Sequence, residues 1–157
     1  MELVRIPIPE LDKVWAIIEK DIKNALAYSS QLTDSGFVLE TAKQGKFQVW
    51  VLWDKTKDKP NDKYFGVVIT EVIKRKYGKV CHIYIMTGRQ RHKWQYLIKD
   101  IEDFAKQENC IMMELIARPG WQKVLNNFGY NRTHVVLEKE IKQEEKKWVL
   151  VEEVQAE

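Results

Sequence analysis

The sequence has few cysteines, few histidines and no long apolar run, and each shortage excludes a class of protein. Its two cysteines, Cys81 and Cys110, stand far apart and form no CxxC pair. This spacing argues against a zinc site and a disulfide framework, and we expect both to be small buried core residues. No histidine lies three or four residues from another, so no metal centre is expected; the three are His82, His92 and His134.

No apolar run approaches the roughly 18–20 residues that a membrane-spanning helix needs. The start of the chain lacks the basic region and apolar core of a secretion signal, and Glu2 and Glu10 are foreign to a mitochondrial presequence. We therefore expect a cytoplasmic protein without membrane contact. The chain has 157 residues, of which 45% are hydrophobic and 31% charged, which is typical of one globular domain.

The net charge of +3 is unevenly distributed along the chain. Residues 143–157 hold five acids and two lysines, so we separate a domain over residues 1–142 from an acidic tail or edge segment that includes Trp148–Val151. The stretch from 72 to 99 contains no acid and eight basic residues: Lys74, Arg75, Lys76, Lys79, Arg89, Arg91, Lys93 and Lys99. Two basic groups flank one predicted strand, about 25 Å apart at roughly 3.3 Å per residue, which weakens the case for a nucleic-acid groove.

Hydrophobic periodicity predicts an α/β order of β-α-α-β-β-β-α-β-α-β. The strands are expected at 2–8, 47–53, 64–72, 80–86, 111–116 and 133–141, with a surface loop over 54–63 and a break at Thr87-Gly88. The helices are expected at 11–25, from Thr33 or Asp34 to Gly45, at about 90–107 and after Pro119. The single domain should hold a mixed, mostly antiparallel sheet flanked by helices.

This order resembles the GNAT superfamily of acetyl-CoA-dependent N-acetyltransferases. Residues 83–85 and the following loop are similar to the family's fourth strand and its phosphate-binding loop, and residues 118–130 to its closing helix. A narrower resemblance to GNAT-like proteins of tailed phages covers residues 47–51, 68–72, 109–110, 118–121, 129–130 and 135–139. Residues 87–89 and 93–94 resemble acetyltransferase-like internal virion proteins of podoviruses.

The resemblance implies a coenzyme A site at the start of the third predicted helix. Family members have a loop of the form Gln/Arg-x-x-Gly-x-Gly/Ala there, whose backbone N–H groups bind pyrophosphate. In this chain Gln90 matches, whereas Lys93 and Gln95 replace the glycines. Either the basic loop still binds phosphate or these side chains block it. The implied acetyl-CoA-binding residues are Ile85, Thr87, Gly88, Arg89, Gln90, Arg91 and Lys93.

The catalytic residues are less defined. Many family members carry a general-acid Tyr four residues before the closing glycine, but here that position is Leu125, and Tyr130 is expected to pack in the core. Candidates for a general base are Glu71, His82 and Glu114. Burial could raise the pKa of Glu114, although an outward-facing strand carboxylate is the simpler interpretation. For His82, a structural histidine is likewise the simpler interpretation.

Three functions stay open at this point. The first is an N-acyltransferase of unknown acceptor that uses acetyl-CoA. The second is a non-catalytic GNAT-fold protein that acts in virion assembly or on a host through protein contacts. The third is a basic nucleic-acid-binding module. The oligomeric state is not determined by the sequence.

Overall fold

Five strands form one sheet in the order β1-β2-β3-β4-β5 in a computed structural model that describes residues 1–28 and 32–143. The strands are β1 (Glu2–Arg5), β2 (Phe47–Trp53), β3 (Tyr64–Arg75), β4 (Gly78–Gly88) and β5 (Cys110–Leu115). The first four are antiparallel to their neighbours, and β5 is parallel to β4. The predicted mixed, mostly antiparallel sheet is therefore confirmed.

Among the described residues, five α-helices flank the sheet: α1 (Leu11–Ala27), α2 (Ser35–Lys43), the single turn α3 (Pro60–Lys63), α4 (Ile98–Gln107) and α5 (Gly120–Asn126). Asp34 is the N-cap of α2, since its carboxylate accepts a hydrogen bond from the Phe37 N–H at 2.8 Å. Gly45, at φ +79°, follows α2 in the left-handed conformation that favours glycine. No helix in the described part of the chain is long and apolar enough to cross a membrane.

The apolar side chains form two cores, one on each face of the sheet. On one face α1 and α2 pack against alternate residues of β2 and β3, with Ile18 and Ile22 fully buried. On the other face α4 and α5 cover the sheet through Ile101, Phe104 and Leu125. Each helix pair buries its apolar stripe against one face of the sheet. Because both faces are covered in this way, the central strands carry apolar residues on both faces.

Several predicted boundaries are wrong. The first strand ends at Arg5 and is followed by a 3-10 turn at Ile8–Glu10, because Pro7 and Pro9 interrupt the ladder. The loop over 54–63 contains the turn α3. Strand β3 extends to Arg75 and β4 begins at Gly78, so only residues 76–77 form the turn of this hairpin, in place of the predicted turn over 74–79. Thr87 and Gly88 do not break β4 but pair with Val67 and Gly66 at its end.

The third predicted helix begins eight residues later than expected. Residues 91–93 and 95–97 form 3-10 turns, and the α-helix starts at Ile98. Within residues 1–28 and 32–143, no strand is assigned over 133–141, where the sequence predicts the last strand. The predicted tail lies outside the described residues from 144 onward, and so does its segment Trp148–Val151.

Candidate functional site

The parallel strands β4 and β5 separate at one point of the sheet. Their pairing ends at Ile83 and Leu115, so residues 84–88 of β4 have no ladder partner on that side within the described chain. Directly after Ile83, Tyr84 is an extra residue in β4, since Ile83 pairs with Thr70 and Ile85 with Ile69. A bulge therefore lies where the edge of β4 becomes free, as is common next to binding sites.

A cavity of about 390 Å³, here called the loop pocket, lies at the end of this free edge. Its lining comes from the end of β4, the following loop and the start of α5, and it comprises Met86, Thr87, Gly88, Gln90, Arg91, His92, Gln95, Arg118 and Trp121. The lining contains two guanidinium groups and an imidazole but no carboxylate. Such a pocket fits an anionic ligand.

The loop pocket begins where β3 and β4 approach closely. Gly66 pairs with Gly88, and a Cβ on Gly66 would lie 2.5 Å from the Thr87 carbonyl oxygen. A Cβ on Gly88 would collide with the carbonyl oxygen of Phe65. Both positions therefore need glycine for steric reasons, and the close pairing fixes the direction in which β4 enters the loop.

The loop itself is held by a buried indole. Trp94 is 2% exposed, and its Nε1–H donates to the Arg89 carbonyl oxygen at 2.8 Å. The backbone N–H groups of Lys93 and Trp94 donate to the carbonyl oxygens of Gln90 and Arg91, at 2.9 and 3.0 Å. These two N–H groups are therefore already used within the 3-10 turns. Gln90 has left-handed backbone angles, φ 51° and ψ 49°, which cost a non-glycine residue free energy.

The structure brings together four of the seven predicted cofactor residues: Thr87, Gly88, Gln90 and Arg91. Ile85 is buried in the core beneath α1. Arg89 turns away from the pocket, since its guanidinium donates to the carbonyl oxygens of Asp62 and Tyr64 and stacks on the Phe65 ring at 4.1 Å. Lys93 is exposed and lies outside the lining.

Arg118 and Trp121 are pocket residues that sequence reasoning missed. The Arg118 guanidinium lies over the Tyr28 ring at 4.4 Å, and the Arg91 guanidinium lies over the Trp121 ring at 4.9 Å. Neither arginine has a hydrogen-bond acceptor or an ion-pair partner within residues 1–28 and 32–143. The resemblance of residues 118–130 to a closing helix indicated this segment. Only the fold, however, places Arg118, the first residue of the segment, opposite the loop.

The three predicted base candidates lie in one row across three strands. In the sheet register His82 of β4 pairs with Glu71 of β3 on one side and with Glu114 of β5 on the other. His82 Nδ1 lies 3.1 Å from Glu114 Oε1, and the His82 side chain is only 12% exposed. A histidine whose ring nitrogen bonds a carboxylate has a fixed orientation and a second nitrogen available for proton transfer.

Arg75 stabilises Glu114 in its ionised form. Its Nη1 and Nη2 donate to Oε2 and Oε1 of Glu114 at 2.9 and 2.7 Å, which is a bidentate ion pair. This contact is the main reason that the pKa of Glu114 is lowered. The expectation that burial raises this pKa is therefore wrong, because the favourable contact with Arg75 outweighs the desolvation of the carboxylate.

The closing helix supplies no acid at the position where the family often has Tyr. Leu125 there is buried in the core beside α4. The Tyr130 hydroxyl donates to Glu102 Oε2 on α4 at 2.9 Å, and burial followed by this contact raises the pKa of Tyr130. Its ring packs against the same core, as predicted.

The row and the loop pocket share strand β4. His82 precedes Thr87 by five residues, which is about 16 Å along a strand. The basic residues 74–79 lie at the hairpin end of β4, away from the loop pocket, so the two basic groups do not form one surface.

A larger cavity, of about 560 Å³, has one wall formed by residues 130–136. Because this wall lies shortly before residue 143, where the described chain ends, we assign no ligand to the cavity.

Neither models of known protein families nor curated proteins match this sequence. Solved structures do. A protein described as a probable acetyltransferase superimposes with a TM-score of 0.66 at 12% identity, over 92% of this chain and 100% of its own. Glucosamine-6-phosphate N-acetyltransferase from Arabidopsis thaliana gives 0.61 at 15% identity, over 90% and 98%.

An aminoglycoside acetyltransferase from an uncultured soil metagenomic sample, solved with sisomicin, also gives a TM-score of 0.61. Its identity is 16%, over 90% of this chain and 96% of its own. At such identities the likeness concerns the fold, which does not by itself fix the chemistry. The five-stranded mixed sheet with its flanking helices is the fold of the GNAT acetyltransferases.

Proposed function

We propose that this protein binds a coenzyme A thioester such as acetyl-CoA in the loop pocket and along the free edge of β4, and that it transfers the acyl group to an amine. The observation that carries the proposal is the divergence of β4 from β5 beyond Ile83, directly before a cationic pocket. The acetyltransferase names of the structural neighbours support the same reaction class.

The residues present fit such a ligand in two respects. The backbone groups of residues 84–88 on the β5 side can hydrogen-bond an extended, amide-bearing arm, as strand edges do with peptides. Arg91, His92 and Arg118 offer cationic donors for phosphates. When bound, a coenzyme A thioester supplies an activated acyl group.

His82 is the best candidate for the general base. With Glu114 accepting a hydrogen bond from Nδ1–H, the lone pair of the imidazole lies on Nε2. Arg75 stabilises the ionised form of Glu114, because its bidentate contact lowers the pKa of that carboxylate. Nε2 takes the proton from the attacking amine nitrogen as this nitrogen bonds the acyl carbonyl carbon, and Glu114 stabilises the resulting imidazolium. The C–S bond of the thioester would break, and coenzyme A would leave as a thiolate that takes up a proton from solvent. Glu71, the cross-strand neighbour of His82, adds a second carboxyl group to the row.

The test has two steps. Calorimetric titration with acetyl-CoA and coenzyme A should give one site, and an acyl-transfer assay over a panel of amines should then find an acceptor. We expect His82→Gln to lower kcat about 10²- to 10⁴-fold without changing coenzyme A affinity. His134→Gln, an exposed histidine outside the row, is the matched control. Equal loss in both variants, or none in either, would remove His82 from the proposed chemistry.

A second candidate is a non-catalytic protein with this fold that acts through protein contacts, such as the virion-assembly or host-directed role that the phage resemblance implies. The observation that favours it is the internal use of the Lys93 and Trp94 N–H groups. Absence of both heat and thermal shift at millimolar acetyl-CoA would favour this candidate over acyl transfer.

A further inference from the structure

We infer that Arg91 and Arg118 bind the pyrophosphate of the ligand as a side-chain pair, in place of a glycine-lined backbone loop. This inference rests on the proposed function, because it concerns the same pocket. It differs from the expectation drawn from the loop alone, which names Arg89 and Lys93 and leaves out Arg118.

The two guanidinium groups reach the loop pocket from separate elements. Arg91 belongs to the first 3-10 turn after β4, and Arg118 lies between β5 and α5. Each is stacked on an aromatic ring, Arg91 on Trp121 at 4.9 Å and Arg118 on Tyr28 at 4.4 Å. Stacking occupies the faces of a guanidinium but leaves its N–H groups at the edge, where they can donate two parallel hydrogen bonds to a phosphate.

The positive charge of the loop pocket also favours the binding of an anion. Arg91, His92 and Arg118 line it, and the other polar side chains of the lining are uncharged. Two like charges that share a cavity repel each other until a counter-charge enters. A ligand with two linked phosphates presents negative charge to both arginines at once, whereas a single carboxylate or an uncharged ligand does not.

The backbone of the loop explains why side chains take this role. The N–H groups of Lys93 and Trp94 already donate within the 3-10 turns. The buried indole of Trp94 ties the loop to the Arg89 carbonyl oxygen, so releasing those N–H groups would break a contact in the core. At these two positions the loop therefore does not offer the N–H groups that a glycine-lined loop offers, and the guanidinium groups supply donors in their stead.

The inference is tested by calorimetry on the full chain with three probes: coenzyme A, inorganic pyrophosphate and pantetheine, which has no phosphate. We expect Arg118→Ala and Arg91→Ala each to weaken coenzyme A and pyrophosphate binding about 10- to 100-fold, as loss of a charge-assisted hydrogen bond does. Pantetheine affinity should not change. Arg118→Lys should fall between wild type and alanine, because an ammonium is a point charge without the planar fork. Arg132→Ala, an exposed arginine outside the loop pocket, is the control.

The outcomes separate the inference from the proposed function. Unchanged coenzyme A affinity in Arg118→Ala, and in a variant that carries both Arg91→Ala and Arg118→Ala, overturns the arginine pair and leaves acyl transfer standing. If pyrophosphate binding depends on both arginines but coenzyme A binds no more tightly than pyrophosphate, the arginine pair is supported. The proposed function is then contradicted, because the rest of coenzyme A adds nothing to binding. No binding of either phosphate probe to the wild type overturns both. If Arg118→Ala fails to fold, Arg118→Lys provides the same comparison.

Discussion

The indole Nε1–H of Trp94 donates a hydrogen bond to the backbone carbonyl oxygen of Arg89, five residues earlier, at 2.8 Å. The bond closes the loop that leaves β4, and it places a buried aromatic ring beneath the candidate phosphate site. The same ring packs against Trp121, with centroids 6.1 Å apart, so the loop and α5 share one support. The candidate binding site is therefore built directly on the core beside α4.

Trp94→Phe tests this support. Phenylalanine keeps an aromatic ring in the core but removes the N–H, which leaves the Arg89 carbonyl oxygen without its described indole donor. We expect the free energy of unfolding to fall by about 1–3 kcal/mol, because a part-buried acceptor loses its hydrogen bond and the smaller ring leaves unfilled volume. Urea denaturation at equilibrium measures it. A variant as stable as the wild type would show that the indole hydrogen bond does not contribute to the free energy of unfolding.

Thr70→Val tests a buried polar chain between β2 and β3. Trp50 Nε1–H donates to Thr70 Oγ1 at 3.0 Å, and the Thr70 hydroxyl donates to Gln48 Oε1 at 2.9 Å. Valine has the same shape but leaves two buried polar groups unpaired, so we expect a loss of about 1–3 kcal/mol in unfolding free energy. Thr70→Ser, the matched control, keeps the hydroxyl and loses about 0.8 kcal/mol for the missing methyl group. The reverse order of stability in urea denaturation would contradict the polar chain.

Gly88→Ala tests the close pairing of β3 and β4 at the loop pocket. The added Cβ would collide with the Phe65 carbonyl oxygen, and backbone cannot move aside as a flexible side chain can. We expect at least about 2 kcal/mol of destabilisation, seen as a lower melting temperature. Gly120→Ala is the control, since a Cβ there meets nothing within 4 Å and alanine is favoured in a helix by up to about 1 kcal/mol. Similar melting temperatures for both variants would contradict the steric argument.

The pH dependence of stability tests the Arg75–Glu114 pair. Arg75 lowers the pKa of Glu114 from its ordinary value of 4.5, so between the two values the unfolded chain binds more protons than the folded one. The contribution of Glu114 is therefore complete above pH 4.5 and is lost as the pH falls through its lowered folded pKa. We expect the stability difference between wild type and Glu114→Gln to be present at pH 7 and to shrink on acidification.

Denaturant titrations over a pH series measure this difference. Glu2→Gln, on the exposed strand β1, is the control and should leave the pH profile parallel to that of the wild type. A difference between wild type and Glu114→Gln that grows as the pH falls below 4.5 would have the wrong sign for a carboxylate stabilised in its ionised form.

The sequence by itself determined most of the elements, because hydrophobic period is a local property. The stripe through Leu11, Trp15, Ile18 and Ile22 is enough for α1, and the apolar run over 47–53 is enough for a strand buried on both faces. The period does not distinguish one 3-10 turn from one α-turn, and so the helix predicted from residue 90 begins at Ile98.

Only the tertiary structure decided which side chains meet at the site. His82 contacts Glu114 because β4 and β5 pair in one particular register, and Arg75 reaches Glu114 across 39 residues of chain. Likewise, Arg118 faces the loop only because the parallel crossover returns the chain beside β4, and Arg89, though next in sequence to the pocket, turns to other carbonyl oxygens. Residue types and spacing determine which groups are available, whereas the packing of distant segments determines which of them share one cavity.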